Sequence, residues 1–214
     1  MAEAKICGIT DAPALQAALD HGAAMLGFVF FPRSPRNLDF AAARALAERV
    51  PPGRARRVAL VVDAEDGLLD RLLAEVPIDL IQLHGGESPA RCAAIRARTG
   101  KPVMKAIAIA EEADFAPVKQ YEQVCDRLLF DAKPKPGEGK GLPGGNAVAF
   151  DWMLLKGRGF SLPWMLAGGL TPDNVATAIR LTGAPAVDTS SGVEDAPGRK
   201  SPEKIRRFLE AVRS

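Results

Sequence analysis

The sequence predicts a closed barrel of eight parallel strands, each followed by a helix: a (β/α)₈ or TIM barrel in one domain that spans residues 1–214. Eight short runs of β-forming residues recur along the chain, and they are apolar on both faces, as buried parallel strands are. Segments with helical spacing follow these runs after polar breaks. The 214 residues leave about 27 residues for each unit, which is close to the minimum for this architecture.

The eight predicted strands are spaced regularly along the chain. They occupy residues 4–9, 25–30, 56–62, 79–84, 103–109, 127–132, 163–169 and 185–191. The alternative, a doubly wound open sheet, usually has about five or six strands and a long crossover at its switch point. Because the units continue without such a crossover, the spacing favours the closed barrel.

Helix boundaries are marked by caps. Three helices are predicted to begin where an N-cap residue precedes a proline, at Ser88-Pro89, Thr171-Pro172 and Ser201-Pro202. Three are predicted to end before a glycine that can adopt the left-handed conformation, at Gly22, Gly100 and Gly183. The helical pattern is least regular in the fifth and sixth units, near 112–120 and 151–156.

Charge and composition exclude several classes of function. The chain has 28 basic and 26 acidic residues, a balance that does not favour nucleic-acid or membrane-surface binding. It lacks a signal-peptide pattern and any apolar stretch near the roughly 18–20 residues of a membrane span. Three cysteines without paired spacing and two histidines argue against a disulfide framework and a metal centre. We therefore expect a cytoplasmic protein that binds no metal.

In a (β/α)₈ barrel the catalytic groups lie at the carboxyl ends of the strands and in the loops that follow them. The polar residues that meet this criterion are Lys5, Cys7, Arg33, Arg36, Asp63, Gln82, His84, Lys105, Asp131 and Asp188.

Cys7 is the candidate catalytic thiol, at the end of the first strand. Lys5 precedes it by two residues, so the two side chains lie on the same face of the strand. An ammonium close to Cys7 would favour the thiolate, which is the form that acts as base or nucleophile. Lys5 could equally be a structural or substrate-contacting charge. Cys92 and Cys125 are interpreted as small buried apolar residues.

Asp131 is the candidate acid, at the end of the nearly apolar sixth strand. A carboxyl group in this position is expected to be partly desolvated, which suits a general acid. The alternative is a structural carboxylate paired with Lys133 or Lys105. Asp126 precedes the strand and should therefore lie at the opposite, stabilising end of the barrel.

Two segments predict a phosphate site. Gly168 and Gly169 follow the seventh strand, and Ser190, Ser191 and Gly192 follow the eighth. Glycines let backbone N–H groups approach an anion closely, and the serines add hydroxyl donors. The loops after these two strands are the usual phosphate position in such barrels. Turn glycines without a ligand are the alternative.

Arg36 lies in a loop that two prolines stiffen, where a guanidinium can bind a carboxylate with two hydrogen bonds. The alternative is a solvated loop arginine, which is our interpretation of Arg33. A long glycine-rich loop is predicted over 133–147; because it follows the sixth strand, it should lie on the active face.

These motifs, taken in order, resemble the phosphoribosylanthranilate isomerases of tryptophan biosynthesis. No single piece would suffice, but together they extend from residue 5 to the last helix. The matching pieces are Lys5–Thr10, Gly27–Phe30 with the loop through Arg36, Gln82–Gly85, Lys105-Ala106, Phe130-Asp131, Phe150–Trp152, Gly168–Leu170 and Asp188–Glu194. Two departures from the family pattern are Asn146-Ala147, where Thr-Gly is common, and Thr189, where Val is frequent.

The resemblance implies an isomerase that performs an Amadori rearrangement without cofactor or metal, as a monomer or a homodimer. Asp131 would be the general acid that protonates the furanose ring oxygen, and Cys7 the general base that removes the proton from C2. Residues implied to bind the small phosphorylated substrate are Arg36 at the anthranilate carboxylate, Asp188 at a ribose hydroxyl, Gln82 and His84, with Gly168, Gly169, Ser190, Ser191 and Gly192 at the phosphate.

Three rival functions fit the sequence less well. Indole-glycerol-phosphate synthase would be expected to carry an N-terminal helical extension and a site centred on Lys and Glu. The isomerase of the histidine pathway would use two aspartates on strands one and five, where this chain has Cys7 and Lys105. A phosphate-binding barrel that had lost its activity would have no need of both Cys7 and Asp131.

Overall fold

The eight predicted strands form a closed parallel barrel in chain order. The computed structural model describes residues 1–133 and 151–214. Its barrel strands are β1 (Glu3–Cys7), β2 (Met25–Phe30), β3 (Arg56–Val61), β4 (Leu80–Leu83), β5 (Val103–Ile109), β6 (Arg127–Ala132), β7 (Trp164–Leu166) and β8 (Ala186–Thr189). Each strand pairs in parallel with its neighbours, and β8 pairs with β1, so the predicted barrel is confirmed.

Helices follow most of the strands. They are α1 (Ala12–Asp20), α2 (Phe40–Ala47), α3 (Asp66–Glu75), α4 (Pro89–Thr99), α5 (Val118–Glu122), α6 (Val175–Thr182) and α7 (Pro202–Arg213). Short 3₁₀ helices span Glu112–Phe115, Trp152–Leu155 and Ser191–Val193, and a two-stranded hairpin, β9 (Glu194–Ala196) and β10 (Arg199–Lys200), precedes α7. None of the described helices is both long and apolar enough to cross a membrane.

The predicted helix starts are confirmed at two of the three caps. The Ser88 and Ser201 hydroxyls accept backbone N–H groups at the start of α4 and α7. The prediction at Thr171 is wrong, because α6 begins only at Val175. Asn174 accepts the N–H of Thr171 through Oδ1 and donates to the Gly169 carbonyl through Nδ2, and these bonds hold the intervening residues in a turn.

The fifth and sixth predicted helices are shorter than expected. The segment over 112–120 divides into a 3₁₀ helix and α5, with Pro117 between them. The helix is interrupted there because proline has no N–H for a helical hydrogen bond. The segment over 151–156 is only one 3₁₀ turn, and Gly157 follows it with φ of +71°. From residue 134 onwards, the predicted loop 133–147 lies outside the described residues. The departure from the family pattern at Asn146-Ala147 lies there too.

Alternation along the strands divides the core into two layers. The first fills the inside of the barrel, and its residues include Met25, Val58, Leu80, Met104, Leu129, Met165 and Ala186. The second lies between barrel and helices and includes Ile6, Phe28, Ile81, Phe130 and Phe208. Since successive side chains point to opposite faces, the residues two positions beyond the inner layer also point inward. This rule places Gln82, Asp131 and Asp188 inside the barrel near its carboxyl end.

Candidate active site

Cys7 and Lys5 lie on the same face of β1, as predicted. A Cβ atom added to Gly27, on neighbouring β2, would lie 2.9 Å from Cys7 Sγ and 3.1 Å from Lys5 Nζ, so both groups converge on this glycine. Lys5 is fully buried, and its Nζ donates to Asp188 Oδ1 over 2.9 Å. The ammonium is therefore shared between an ion pair with β8 and the thiol.

The electrostatic balance at Cys7 differs from the expectation. Burial raises the pKa of the Cys7 thiol above its ordinary value, and the Lys5 ammonium offsets only part of this effect. Burial also raises the pKa of Asp188, against the opposing charge of Lys5. Lys5 does favour the thiolate, but the neutral thiol predominates in the free protein at neutral pH.

Asp131 contacts neither of the lysines that were the alternative partners. Its Oδ2 lies 3.2 Å from His84 Nε2, and its Oδ1 accepts the Ala132 N–H over 2.8 Å. The other imidazole nitrogen, Nδ1, lies 2.8 Å from Gln82 Nε2. Asp131, His84 and Gln82 thus form a continuous chain across β4 and β6. Lys133 pairs instead with Asp114.

Lys105 does not face the site. Its neighbours on β5, Met104 and Ala106, belong to the inner layer, so Lys105 points outward toward the helices. There it forms a buried ion pair with Glu87 over 2.8 Å and donates to the Gly85 carbonyl over 2.7 Å. Glu87 also accepts the backbone N–H groups of Asp63 and Gly85. This pair anchors the loops that follow β3 and β4.

Replacing Lys105 with Met should lower the free energy of unfolding by about 3–5 kcal/mol, because it leaves the Glu87 carboxylate buried without its cation. Urea denaturation measures the change. The matched control is Lys133→Met, which removes a half-exposed lysine from a surface pair and should barely alter the curve. Superimposable curves for Lys105→Met and the wild type would show that the pair does not stabilise the fold.

Arg36 is buried, so the interpretation as a solvated loop arginine is wrong for it, whereas Arg33 is exposed as expected. Its Nε and Nη2 each donate to a carboxylate oxygen of Glu194 over 2.7 Å. Lys200 Nζ lies 2.7 Å from the same carboxylate. Burial alone would raise the pKa of Glu194, but these hydrogen bonds and charges hold it below its usual range. Glu194 therefore stays ionised and orients Arg36.

The turns after β7 and β8 contact each other. Gly168 and Gly169 both have positive φ, +84° and +66°, which favours glycine. A Cβ atom on Gly192 would lie 1.9 Å from the Leu170 carbonyl oxygen, so only glycine fits between the turns. The two predicted phosphate segments thus form one continuous backbone surface at the rim of the barrel.

The Ser190 hydroxyl forms two hydrogen bonds within the protein. It donates to the Cys7 carbonyl over 3.0 Å and accepts from Lys200 Nζ over 3.2 Å, so it connects β8 to the end of β1. Its hydroxyl is therefore occupied within the protein. Ser191 begins the short 3₁₀ helix that carries Gly192.

The sequence analysis missed Glu194, Lys200 and Glu87 as contributors to the site. Glu194 was part of a matching motif but was given no role. A buried arginine needs a counter-charge, and this requirement was the available signal for Glu194. No local pattern pointed to Lys200 or Glu87, because their partners come from distant parts of the chain.

Comparisons with known proteins agree on one family. The family model described as N-(5′-phosphoribosyl)anthranilate (PRA) isomerase matches residues 4–211. The N-(5′-phosphoribosyl)anthranilate isomerase of Paracoccus denitrificans is 57% identical over 205 residues, 96% of this chain and 94% of that protein. That of Paramagnetospirillum magneticum is 54% identical over 211 residues, 99% of this chain and 97% of that protein.

Solved structures give the same result. The crystal structure of phosphoribosyl anthranilate isomerase from Thermotoga maritima matches with a TM-score of 0.85 and 32% identity, over 100% of this chain and 99% of that one. A crystal structure of the isomerase in complex with reduced 1-(o-carboxyphenylamino)-1-deoxyribulose 5-phosphate matches with a TM-score of 0.84 and 31% identity, with the same coverage. The chain belongs to the N-(5′-phosphoribosyl)anthranilate isomerase family.

Proposed function

We propose that this protein converts N-(5′-phosphoribosyl)anthranilate into 1-(o-carboxyphenylamino)-1-deoxyribulose 5-phosphate, an Amadori rearrangement in tryptophan biosynthesis. One observation carries the proposal: a thiol and a carboxyl group, Cys7 and Asp131, project from β1 and β6 at the same end of the barrel. An aldose-to-ketose shift needs one acid and one base on a substrate that is fixed at both ends.

The two ends of the substrate have separate binding positions in this proposal. The backbones of Gly168-Gly169 and Ser190-Ser191-Gly192 would hold the phosphate at the joined turns after β7 and β8. Arg36 would hold the anthranilate carboxylate. Its side chain lies against Gly8, where an added Cβ would be 2.5 Å from Arg36 Cδ, so the arginine passes directly beside the end of β1 that carries Cys7.

Arg36 can bind a substrate carboxylate while it holds Glu194. A guanidinium has five N–H donors in a planar fork, and Glu194 uses the Nε edge with one N–H of Nη2. The remaining edge, formed by Nη1 and the second N–H of Nη2, can bind another carboxylate with two hydrogen bonds. Glu194 would orient this edge toward the barrel mouth.

The acid step opens the sugar ring. The Asp131 carboxyl group donates its proton to the furanose ring oxygen, and the bond between that oxygen and C1 breaks with its electron pair moving to oxygen. The anthranilate nitrogen supplies its lone pair to C1, which gives a protonated Schiff base. Asp131 is then a carboxylate, held by the Ala132 N–H and by His84.

The base step moves the hydrogen. The Cys7 thiolate removes the C2 proton, and the electrons pass through C1 to the nitrogen to give an enolamine. The ketone forms when C1 gains a proton and the C2 hydroxyl loses one. The reaction consumes no proton overall, so the Cys7 proton can pass to C1 and the hydroxyl proton can return to Asp131. Asp188, which Lys5 orients through Oδ1, would bind a ribose hydroxyl.

The direct test is turnover by the purified protein, followed by the loss of anthranilate-type fluorescence on addition of N-(5′-phosphoribosyl)anthranilate. We expect saturable conversion without added metal or cofactor. Absence of turnover in a folded sample would refute the proposal. Growth of a tryptophan auxotroph that lacks this isomerase provides an independent readout.

Replacing Arg36 with Met should mainly raise KM, by roughly 10- to 100-fold, because it removes a charged hydrogen-bonding group that binds ground and transition states alike. Steady-state kinetics separate KM from kcat. The control is Arg33→Met, which removes an exposed arginine from the same loop and should leave both constants unchanged. A fall in kcat at constant KM would assign Arg36 to the chemical step instead.

We also propose that the protein acts in the cytoplasm as one or two copies of this chain. Its three cysteines are free thiols, as a reducing compartment would keep them. One Thermotoga maritima structure with 31% identity is described as monomers generated from a dimeric isomerase. Sedimentation equilibrium of the full chain distinguishes the monomer from the homodimer.

A further inference from the structure

Gln82 is fully buried inside the barrel, and in the described part of the chain its amide has one hydrogen-bond partner. Its Nε2 lies 2.8 Å from His84 Nδ1, and His84 Nε2 lies 3.2 Å from Asp131 Oδ2. Among the residues that the structure describes, Gln82 Oε1 has no hydrogen-bond partner. A buried amide that served only to support its neighbours would be expected to satisfy both ends.

Because Oε1 has no hydrogen-bond partner among the described residues, none of them holds the amide in one orientation from that side. An amide occupies the same space after a 180° rotation, which exchanges its donor for its acceptor. With the NH₂ group toward His84, the imidazole accepts at Nδ1 and donates from Nε2 to an ionised Asp131. With the oxygen toward His84, the imidazole donates from Nδ1, and its Nε2 shares a proton with Asp131.

These two arrangements differ by one proton. The first corresponds to Asp131 after it has acted as an acid, and the second to Asp131 before it acts. We propose that Gln82 is a positioning residue that selects between them: its amide accepts from His84 while the His84–Asp131 pair holds the catalytic proton, and reverses to donate when that proton has left. The inference rests on the proposed role of Asp131.

One proton leaves the His84–Asp131 pair and returns to it in each turnover of the proposed reaction. The proton between Asp131 Oδ2 and His84 Nε2 is transferred to the ring oxygen as the C1–oxygen bond breaks. The proton on Nδ1 then moves to Nε2 in the neutral imidazole by exchange with water or substrate hydroxyl, and the amide rotates to donate to Nδ1. The proton released from the C2 hydroxyl then returns to Asp131, the Nε2 proton moves back to Nδ1 by the same exchange, and the amide rotates back to accept it. No oxidant, reductant or further reactant is required.

Several charged side chains lie around the Gln82–His84–Asp131 hydrogen-bond network and influence its protonation. Asp188 on β8 is close enough for the charges of both His84 and Asp131 to affect its pKa, and Lys5 on β1 is bound to Asp188. On the neighbouring strands β3 and β5, the charges are Asp63, which follows β3, and Lys105, which points outward and is paired with Glu87. Unlike these charged side chains, the Gln82 amide is neutral, and by rotating it can change from hydrogen-bond donor to acceptor.

The kinetic test is Gln82→Glu, which replaces the reversible amide with a group that accepts when ionised. It should favour the proton-loaded pair, so the basic limb of the kcat–pH profile should move upward by about 1–2 pH units, whatever the height of the plateau. The matched variant Gln82→Met keeps the length without hydrogen bonding, and its limb should not move upward. An unshifted limb in a folded Gln82→Glu protein overturns the inference.

A second measurement uses the unaltered protein, because a new charge at a buried position can prevent folding. The chain has two histidines, so ¹⁵N-histidine labelling gives two imidazole spectra, which His21→Asn assigns. His84 should carry hydrogen on Nδ1 below the basic limb and on Nε2 alone above it. One unchanged form across the limb overturns the inference. Absence of turnover by the folded wild-type protein would overturn the proposed function instead. Wild-type turnover in Asp131→Asn would overturn only the role of Asp131 on which this inference rests.

Discussion

Replacing Cys7 with Ser should reduce kcat by about 10²–10⁴-fold, the range that a positioned general base contributes. A serine hydroxyl has nearly the size of the thiol but does not ionise in the accessible pH range, so the variant cannot remove the C2 proton. The melting temperature should change little, because the substitution creates no cavity. The loss of anthranilate-type fluorescence measures turnover, and differential scanning fluorimetry measures the melting temperature.

The control for this experiment is Cys92→Ser, which alters a buried thiol on α4 in the outer layer, away from the barrel mouth. It should leave kcat unchanged. A wild-type rate in Cys7→Ser would remove the thiol from the reaction and leave it a packing residue.

The thiol also predicts how the ionisation of the free protein depends on pH. Because burial raises the pKa of Cys7, its thiolate should form only above the ordinary range of a thiol, and the ultraviolet absorbance of the wild type minus that of Cys7→Ser measures this. A thiolate that is already formed at neutral pH would mean that the charge of Lys5 outweighs the effect of burial.

Replacing Asp131 with Asn should reduce kcat by a similar factor, about 10²–10⁴-fold. The amide retains the shape of the carboxyl group and can still contact His84 and the Ala132 N–H, so the fold should be preserved. It cannot release a proton to the ring oxygen. Ring opening should therefore become slow, while KM changes little.

The matched control is Asp126→Asn. Asp126 directly precedes β6, the strand that carries Asp131, and therefore lies at the opposite end of the barrel. Asp126 accepts the Val103 N–H over 2.9 Å and pairs with Arg96 over 2.7 Å, which confirms its predicted position away from the site. This variant should lose stability and keep kcat. If Asp131→Asn turns over at the wild-type rate, another group protonates the sugar.

Local patterns were sufficient for most of the fold. Three strands, at 25–30, 103–109 and 127–132, have the predicted bounds, because period and composition depend only on neighbouring residues. The helix boundaries were predicted wrongly where a single residue disturbs the backbone hydrogen bonds of a helix. Asn174 delays the start of α6, and Pro117 divides the fifth helical segment. Such competition depends on individual hydrogen bonds, which periodicity does not describe.

Alternation along the first strand predicted that Cys7 and Lys5 share a face, because a strand repeats every two residues. Asp131 and Asp188 were predicted from their positions at strand ends, and the inner layer that the structure shows places both inside the barrel. Lys105 shows the limit of a criterion based on strand position alone. It lies on β5, but its side chain points away from the interior, because its neighbours Met104 and Ala106 point inward.

Residue patterns in the sequence predict the barrel, its family, and the thiol and carboxyl group at its mouth. The contacts of these residues follow from the folded molecule. Lys5 binds Asp188, 183 positions away, and Arg36 binds Glu194, 158 positions away. The Ser190 hydroxyl is likewise bound to the Cys7 carbonyl. These contacts form because the barrel closes between β8 and β1, which brings the two ends of the chain together, and no local pattern encodes this closure.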